Sequence, residues 1–388
     1  MAATETPEPP QQGGYSRAWT ILRFRGVPIR VHLSWVLIAG LVLWVFWTRF
    51  NQLLLPYTTT AVVASAVVLA LCFFASILAH ELGHAVTSLN RGIPVLGITL
   101  FLLGGVTEST REAERPRDEL VIVGSGPFIS VVLAGLFGLA HAIAPGTTPY
   151  GAVTGYAAWV NLALAIFNVL PAYPLDGGRL LRAVLWAVTG TPHRATRWAA
   201  RIGQAFAAVL LLGGLNGLLG GPIPQVDGPF RWVVVLLAAN GLWGLLVGFF
   251  LLRGAVEAHR RARARETLAQ HTAGEVMGGV PPALAADLPL PAAVEHLQER
   301  PSVLWPVGVP MVGAVRLVDL NRVAQDAGPS RSLGDVALPT ETVTVDAGTP
   351  LDVALDRMLD APGQMLVVTR EGRPVGLLSP SLVGGLLA

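Results

Sequence analysis

Residues 80–84 read His-Glu-Leu-Gly-His, at the far end of an apolar run that begins at Ala61. On a helix, a four-residue spacing stacks His80 and His84 on one face, one turn apart, so two ring nitrogens can converge on one ion. Glu81 points about 100° around the helix from His80. From there it reaches a water on that ion without taking a ligand position. This is the H-E-x-x-H arrangement, two zinc ligands and a general base. A catalytic zinc needs a third protein ligand and an open position for water, whose pKa it lowers to near 7. The glutamate takes the water's proton and later delivers it to a leaving amine. A carboxylate at the centre of a membrane segment costs ~2.5–3.5 kcal/mol on insertion scales, so such residues are read as functional by default.

The third ligand has to come from another part of the chain. The segment NVLPAYPLDGGRLLR (168–182) supplies the best candidate, because Asp176 is the only acid between an apolar stretch at 119–143 and Asp227. Pro171, Pro174, Gly177 and Gly178 are expected to break the helix there and free the backbone to turn the carboxylate inward. A turn residue at a helix end is the simpler reading of Asp176, since Asp-Gly is a common turn pair.

The elements that must carry these residues are membrane helices. The 388-residue chain is 52% apolar and 13% charged, against about a quarter charged in an average soluble domain. Six stretches approach or exceed the ~20 residues of a spanning helix: 31–48, 60–89, 119–143, 152–170, 199–221 and 231–252. All 27 basic residues counted with lysine are arginines, and they cluster before the first span, between spans two and three, between four and five, and after the sixth. The loops at 50–59, 144–151 and 222–230 have none, although Arg49 and Arg231 border two of them, so both termini are expected in the cytoplasm. The net charge of +2 gives no reason to expect a nucleic-acid partner, and a single cysteine, Cys72, excludes an intramolecular disulfide. Residues 1–16 read as a disordered tail. The alternation at 21–32 reads as a short strand, and the β-rich stretch 93–108, broken at Gly104-Gly105, as a re-entrant hairpin that must pack on protein or line a wet cavity.

A basic linker at 256–270 leads to a soluble-like segment, 271–388, with a weak repeat of about 60 residues. AGEVM (273–277) matches LGDVA (333–337), and GAVRLVD (313–319) matches GLLSPSL (376–382). Each unit reads helix, strand, strand, helix.

HELGH in an early apolar helix, followed by NVLPAYPLDGG, resembles the site-2 protease family of intramembrane zinc metalloproteases over roughly residues 20–255. The resemblance implies an α-helical polytopic membrane fold of about six helices with a short membrane-associated β-hairpin. It implies one zinc per chain on His80, His84 and Asp176, with Glu81 as base and Asn168 helping to hold or polarise the substrate. It implies a bacterial cell-membrane enzyme that cuts single-pass transmembrane proteins, such as anti-sigma factors or membrane-tethered regulators, in regulated intramembrane proteolysis. The C-terminal repeat resembles a pair of cystathionine β-synthase (CBS) motifs, an α/β regulatory module in one branch of that family. Modules of this kind that bind adenosine nucleotides use a hydroxyl and an acid in one motif. The first repeat keeps Asp319 with Arg316 at the hydroxyl position, and the second keeps Ser379 with Leu382 at the acid position. Scaffolding or homodimerisation therefore stands ahead of a nucleotide held by Asp319 and Arg316.

Plainer roles remain for the other polar residues. Asn168 also suits a packing or capping amide, and His32, His141 and His193 suit the membrane interface. Gly124-Ser125-Gly126 suits close helix packing. The rival for the whole chain is a non-enzymatic metal or anion transporter with a CBS pair. Acids are missing from spans one, five and six, and no inverted repeat is visible, which counts against it.

Overall fold

The computed structural model describes residues 18–54, 57–101, 104–144, 147–221, 241–298, 303–318, 320 and 331–387. The chain divides at His259/Arg260 into two compact units.

In the first unit, the stretch expected as one strand forms two. β1 (Ala18–Phe24) and β2 (Val27–His32) pair antiparallel about Arg25 and Gly26, both at positive φ (49° and 84°). Alternating apolar residues run through both arms, so only the left-handed turn pair distinguishes a hairpin from a single strand. After the 20-residue helix α1 (Ser34–Leu53) and the 32-residue α2 (Thr59–Asn90), β3 (Val95–Phe101) and β4 (Gly104–Ser109) form the expected hairpin. That hairpin extends a sheet of order β1-β2-β3-β4, in which β3 pairs parallel with β2 at Ile29↔Ile98. The backbone groups a lone hairpin would leave open on β3 are thus satisfied by β2, and β4 is an edge. Val27, Ile29, Ile98 and Leu100 pack on Ala85 of α2, joining the sheet to the helix that carries the histidines.

The unit continues with α3 (Pro116–Ala142), α4 (Pro149–Val169), α5 (Asp176–Thr189), α6 (Pro192–Leu218) and the first part of α7 (Gly241–Leu268), which runs past the boundary at His259. Six of its helices, α5 excepted, are long and apolar enough to cross a membrane. Residues 231–240 of the expected sixth span lie outside the described residues, while α7 runs on through the arginines that were read as a linker. Arginine and alanine are strong helix formers, so charge alone does not end a helix. The short α5 is a separate amphipathic element. Gly177 and Gly178 do not break a helix but occupy its first turn, where a Cβ would overlap the backbone of residues 169–170 and 172–173, respectively. Their lack of a side chain lets α5 fold back against the end of α4.

The second unit contains α8 (Ala273–Val276), α9 (Leu290–Gln298), β5 (Trp305–Val307), β6 (Gly313–Val315), α10 (Leu333–Val336), β7 (Leu338–Pro339), α11 (Thr340–Val343), β8 (Thr344–Asp346), α12 (Leu351–Asp360), β9 (Leu366–Arg370), β10 (Arg373–Leu378) and α13 (Pro380–Leu387). The repeat is visible in detail: α8 and α10 each begin in a capping box, Thr272 with Glu275 and Ser332 with Asp335. The segments that follow are exchanged. β7, from the second half, pairs with β6 of the first, and Gly278, from the first half, bridges Leu377 in β10 of the second. The two halves therefore fold as one body with cores of their own, including Leu290, Leu297 and Val307 in one half and Leu351, Met358 and Val368 in the other.

Candidate metal centre

His80, Glu81 and His84 sit six to ten residues before the end of α2, all buried, with His80 only 4% exposed. At 1.5 Å per residue, His80 lies about 15 Å from that end. The segment after α4 carries Asp176 back to the same depth, at the first position of α5. Asp176 Oδ2 lies 3.0 Å from Nε2 of His80 and 3.2 Å from Nε2 of His84, and the two imidazole nitrogens are 3.3 Å apart. A tetrahedral ion with nitrogen and oxygen ligands at ~2.0–2.1 Å separates those ligands by about 3.3–3.4 Å. The three atoms thus already form nearly one face of such a tetrahedron, and the donor set of two imidazoles and one carboxylate suits zinc.

Both rings are held from behind by α3. Nδ1 of His84 lies 2.9 Å from the Ile122 carbonyl, which can only accept, so Nδ1 carries the proton and Nε2 keeps its lone pair for an ion. Nδ1 of His80 lies 3.0 Å from the hydroxyl of the fully buried Ser130. Between them Gly126 faces the rings so closely that a Cβ would overlap Nε2 of both histidines.

A model of peptidase family M50 matches this chain over residues 68–155 and 148–210, and a CBS domain model matches residues 333–381. A Mycobacterium tuberculosis protein named as the zinc metalloprotease Rip3 is 33% identical over 94% of this chain and 91% of its own length. A Synechocystis protein named as the zinc metalloprotease sll0528 is 30% identical over 92% of each chain. The chain belongs to peptidase family M50, the site-2 protease family. It is a multi-pass intramembrane zinc metalloprotease with a C-terminal CBS domain. The solved structure of the site-2 protease from Methanocaldococcus jannaschii superposes with a TM-score of 0.41 at 25% identity, covering 62% of this chain and 95% of that one.

In this peptidase the β-hairpin lies over the glutamate. The Thr107 hydroxyl donates to Glu81 Oε2 at 2.9 Å, and a Cβ on Gly105 would overlap the Glu81 side chain. Asn168, on the last turn of α4, donates from Nδ2 to the Leu164 carbonyl of its own helix. His32 sits at the entry of α1, its Nδ1 2.8 Å from the Ser34 hydroxyl. Of the two residues expected to hold a nucleotide on the CBS pair, Asp319 lies outside the described residues. Arg316 extends against Gly363, in the other repeat, where a Cβ would overlap its guanidinium. The supporting residues Ser130, Thr107, Gly105 and Gly126 were not read from the sequence as parts of the site. A hydroxyl in the apolar stretch 119–143 was the available signal for Ser130, and the reading of Gly126 as a packing residue did not say what it packs on.

Proposed function

We propose that His80, His84 and Asp176 hold the catalytic zinc and that Glu81 is the general base for hydrolysis of a peptide bond in or beside a transmembrane helix. The observation that carries this assignment is the triangle of donor atoms at 3.0, 3.2 and 3.3 Å, drawn from residues 92 and 96 positions apart in the sequence. When bound, zinc supplies Lewis-acid polarisation of a water and of the scissile carbonyl. The chain's own groups do the rest. The Ile122 carbonyl and the Ser130 hydroxyl fix the ring planes, and the Glu81 carboxylate accepts the proton of the attacking water and returns it to the leaving amine. Thr107 steers that carboxylate with its hydrogen bond to Oε2. Asn168 is assigned to the substrate, its side chain swinging from the Leu164 carbonyl to a peptide group.

A helical substrate hides its scissile amide behind its own hydrogen bonds, so a few residues must unwind. The edge strand β4, next to Glu81, is suited to pair with the extended segment by β-augmentation. The arginine distribution supports cytoplasmic termini. The metal cluster then sits towards the cytoplasmic end of α2, and cleavage there would release a cytoplasmic regulatory domain. We take the substrates to be single-pass proteins such as anti-sigma factors or membrane-tethered regulators. The protease domain is placed at 17–255, and the CBS pair at 271–388 is assigned assembly or control without chemistry, with homodimerisation ahead of a nucleotide at Asp319 and Arg316.

The test is Glu81→Gln. The amide is nearly isosteric but accepts no proton, so zinc content and fold should match wild type while cleavage of a transmembrane peptide falls by at least ~10²–10⁴-fold. Activity within a few-fold of wild type would remove Glu81 from the mechanism.

A further inference from the structure

The described residues contain a second buried carboxylate that the mechanism does not use. Glu119, in the first turn of α3, is 1% exposed. Its Oε1 lies 3.2 Å from Nη1 of Arg182 and 3.7 Å from Nε of Arg179, both on α5. Arg182 is itself buried at 8% exposure and donates from Nη2 to Glu112 at 2.6 Å, just ahead of α3. Its guanidinium also lies over the Trp186 ring, 5.8 Å from the centroid. Burying a carboxylate and a guanidinium strips both ions of water before they pair, so a pair of this kind seldom explains stability by itself.

Its position suggests another role. Asp176 opens α5, and Arg182 lies six residues on, about 9 Å along the same helix. Glu119 lies on α3 three residues before Ile122 and eleven before Ser130, the two groups behind His84 and His80. One helix therefore supports both imidazoles directly, and through Glu119 it also grips the helix that presents the carboxylate.

We infer that the buried Glu119–Arg182 pair is a positioning device for the metal site: it sets the placement of α5 on α3 and so holds the Asp176 carboxylate at the two histidines. This rests on Asp176 being the third ligand. Neither residue touches substrate or metal; both act through Asp176. Supporting groups behind metal ligands typically contribute 10–100-fold to affinity.

A double-mutant cycle on the full-length chain in detergent tests this, with zinc affinity read by competition with a chromophoric chelator. Glu119→Gln should weaken zinc binding by about 10–100-fold in the wild-type background. In the Asp176→Ala background the same change should cost less than about threefold, because the group through which it acts is gone. Cobalt substitution gives a second readout: the visible bands of the Glu119→Gln protein should shift towards those of Asp176→Ala. If Glu119→Gln does not fold, Arg182→Lys, which keeps a buried cation, carries the same cycle. An equal loss in both backgrounds would mean that the pair merely holds the bundle together and would overturn the inference, as would wild-type affinity in Glu119→Gln. Wild-type zinc affinity in Asp176→Ala alone would instead sink the ligand assignment, a separate result.

Discussion

Asp176 does two things at once, and each depends on where it sits. As the first residue of α5 it places negative charge at a helix N-terminus, which is favourable on its own. As the proposed third ligand, its carboxylate about 3 Å from two imidazole nitrogens, it would complete a donor set that two histidines alone would leave weak. Asp176→Ala should therefore bind zinc less tightly and lose cleavage, while the helices remain folded. Equilibrium dialysis against buffered zinc reads the affinity, and circular dichroism reads the fold. Stoichiometric zinc at wild-type affinity would require another third ligand.

Among the elements, α3 is the organiser. It contributes no ligand, yet Ile122, Gly126 and Ser130 line the back of the ligand set, and its face meets α2 so tightly that a Cβ on Gly83 would overlap the Ile129 side chain. The ion pair between Arg91 and Asp118 ties the end of α2 to the start of α3. Gly126→Ala is expected to push both histidine rings away from the third ligand. Overpacking of this kind costs about 1–3 kcal/mol, and here the displaced atoms are the donors. The variant should express in the membrane with reduced zinc content and little activity, measured as metal per chain after purification. Full zinc occupancy with normal activity would show that α3 can retreat without disturbing the site.

The whole molecule consists of two units with separate cores. In the first, Leu170, Leu175, Ala207 and Leu251 pack together, and Phe50, Leu54, Val62 and Ala152 form another cluster. The second closes on itself by exchange of segments between its two halves. All three residues of the proposed metal site lie in the first unit. A chain ending near Arg265 should therefore keep one zinc and cleave a transmembrane peptide in detergent, with changes confined to rate or oligomeric state. Metal analysis with a peptide-cleavage assay decides this, and joint loss of zinc and fold would show that the two units depend on each other.

From the sequence alone, the chemistry is legible at His80, Glu81 and His84, because all three lie within one helical turn and their geometry follows from helix periodicity. The six membrane helices are legible for a similar reason, since length and apolarity are local properties. The weak repeat at 271–388 is visible in matched segments, but the exchange of β7 and Gly278 between its halves is not, because strand pairing is a long-range choice. The same limit applies at the site. Asp176 could be nominated by elimination, but its 3.0 Å approach to His80 depends on two glycines letting α5 fold against the end of α4. Arg25 and Gly26 turn one expected strand into a hairpin, and β2 then pairs with β3 to fix the strand pair over Glu81. Ser130, Gly126, Glu119 and Arg182 carry no motif, and their roles come only from the packing of α3 against α2 and α5. Residue type and spacing determine which atoms can do chemistry, whereas the tertiary structure decides which of them meet, because close approach depends on the shapes of surfaces distant in sequence.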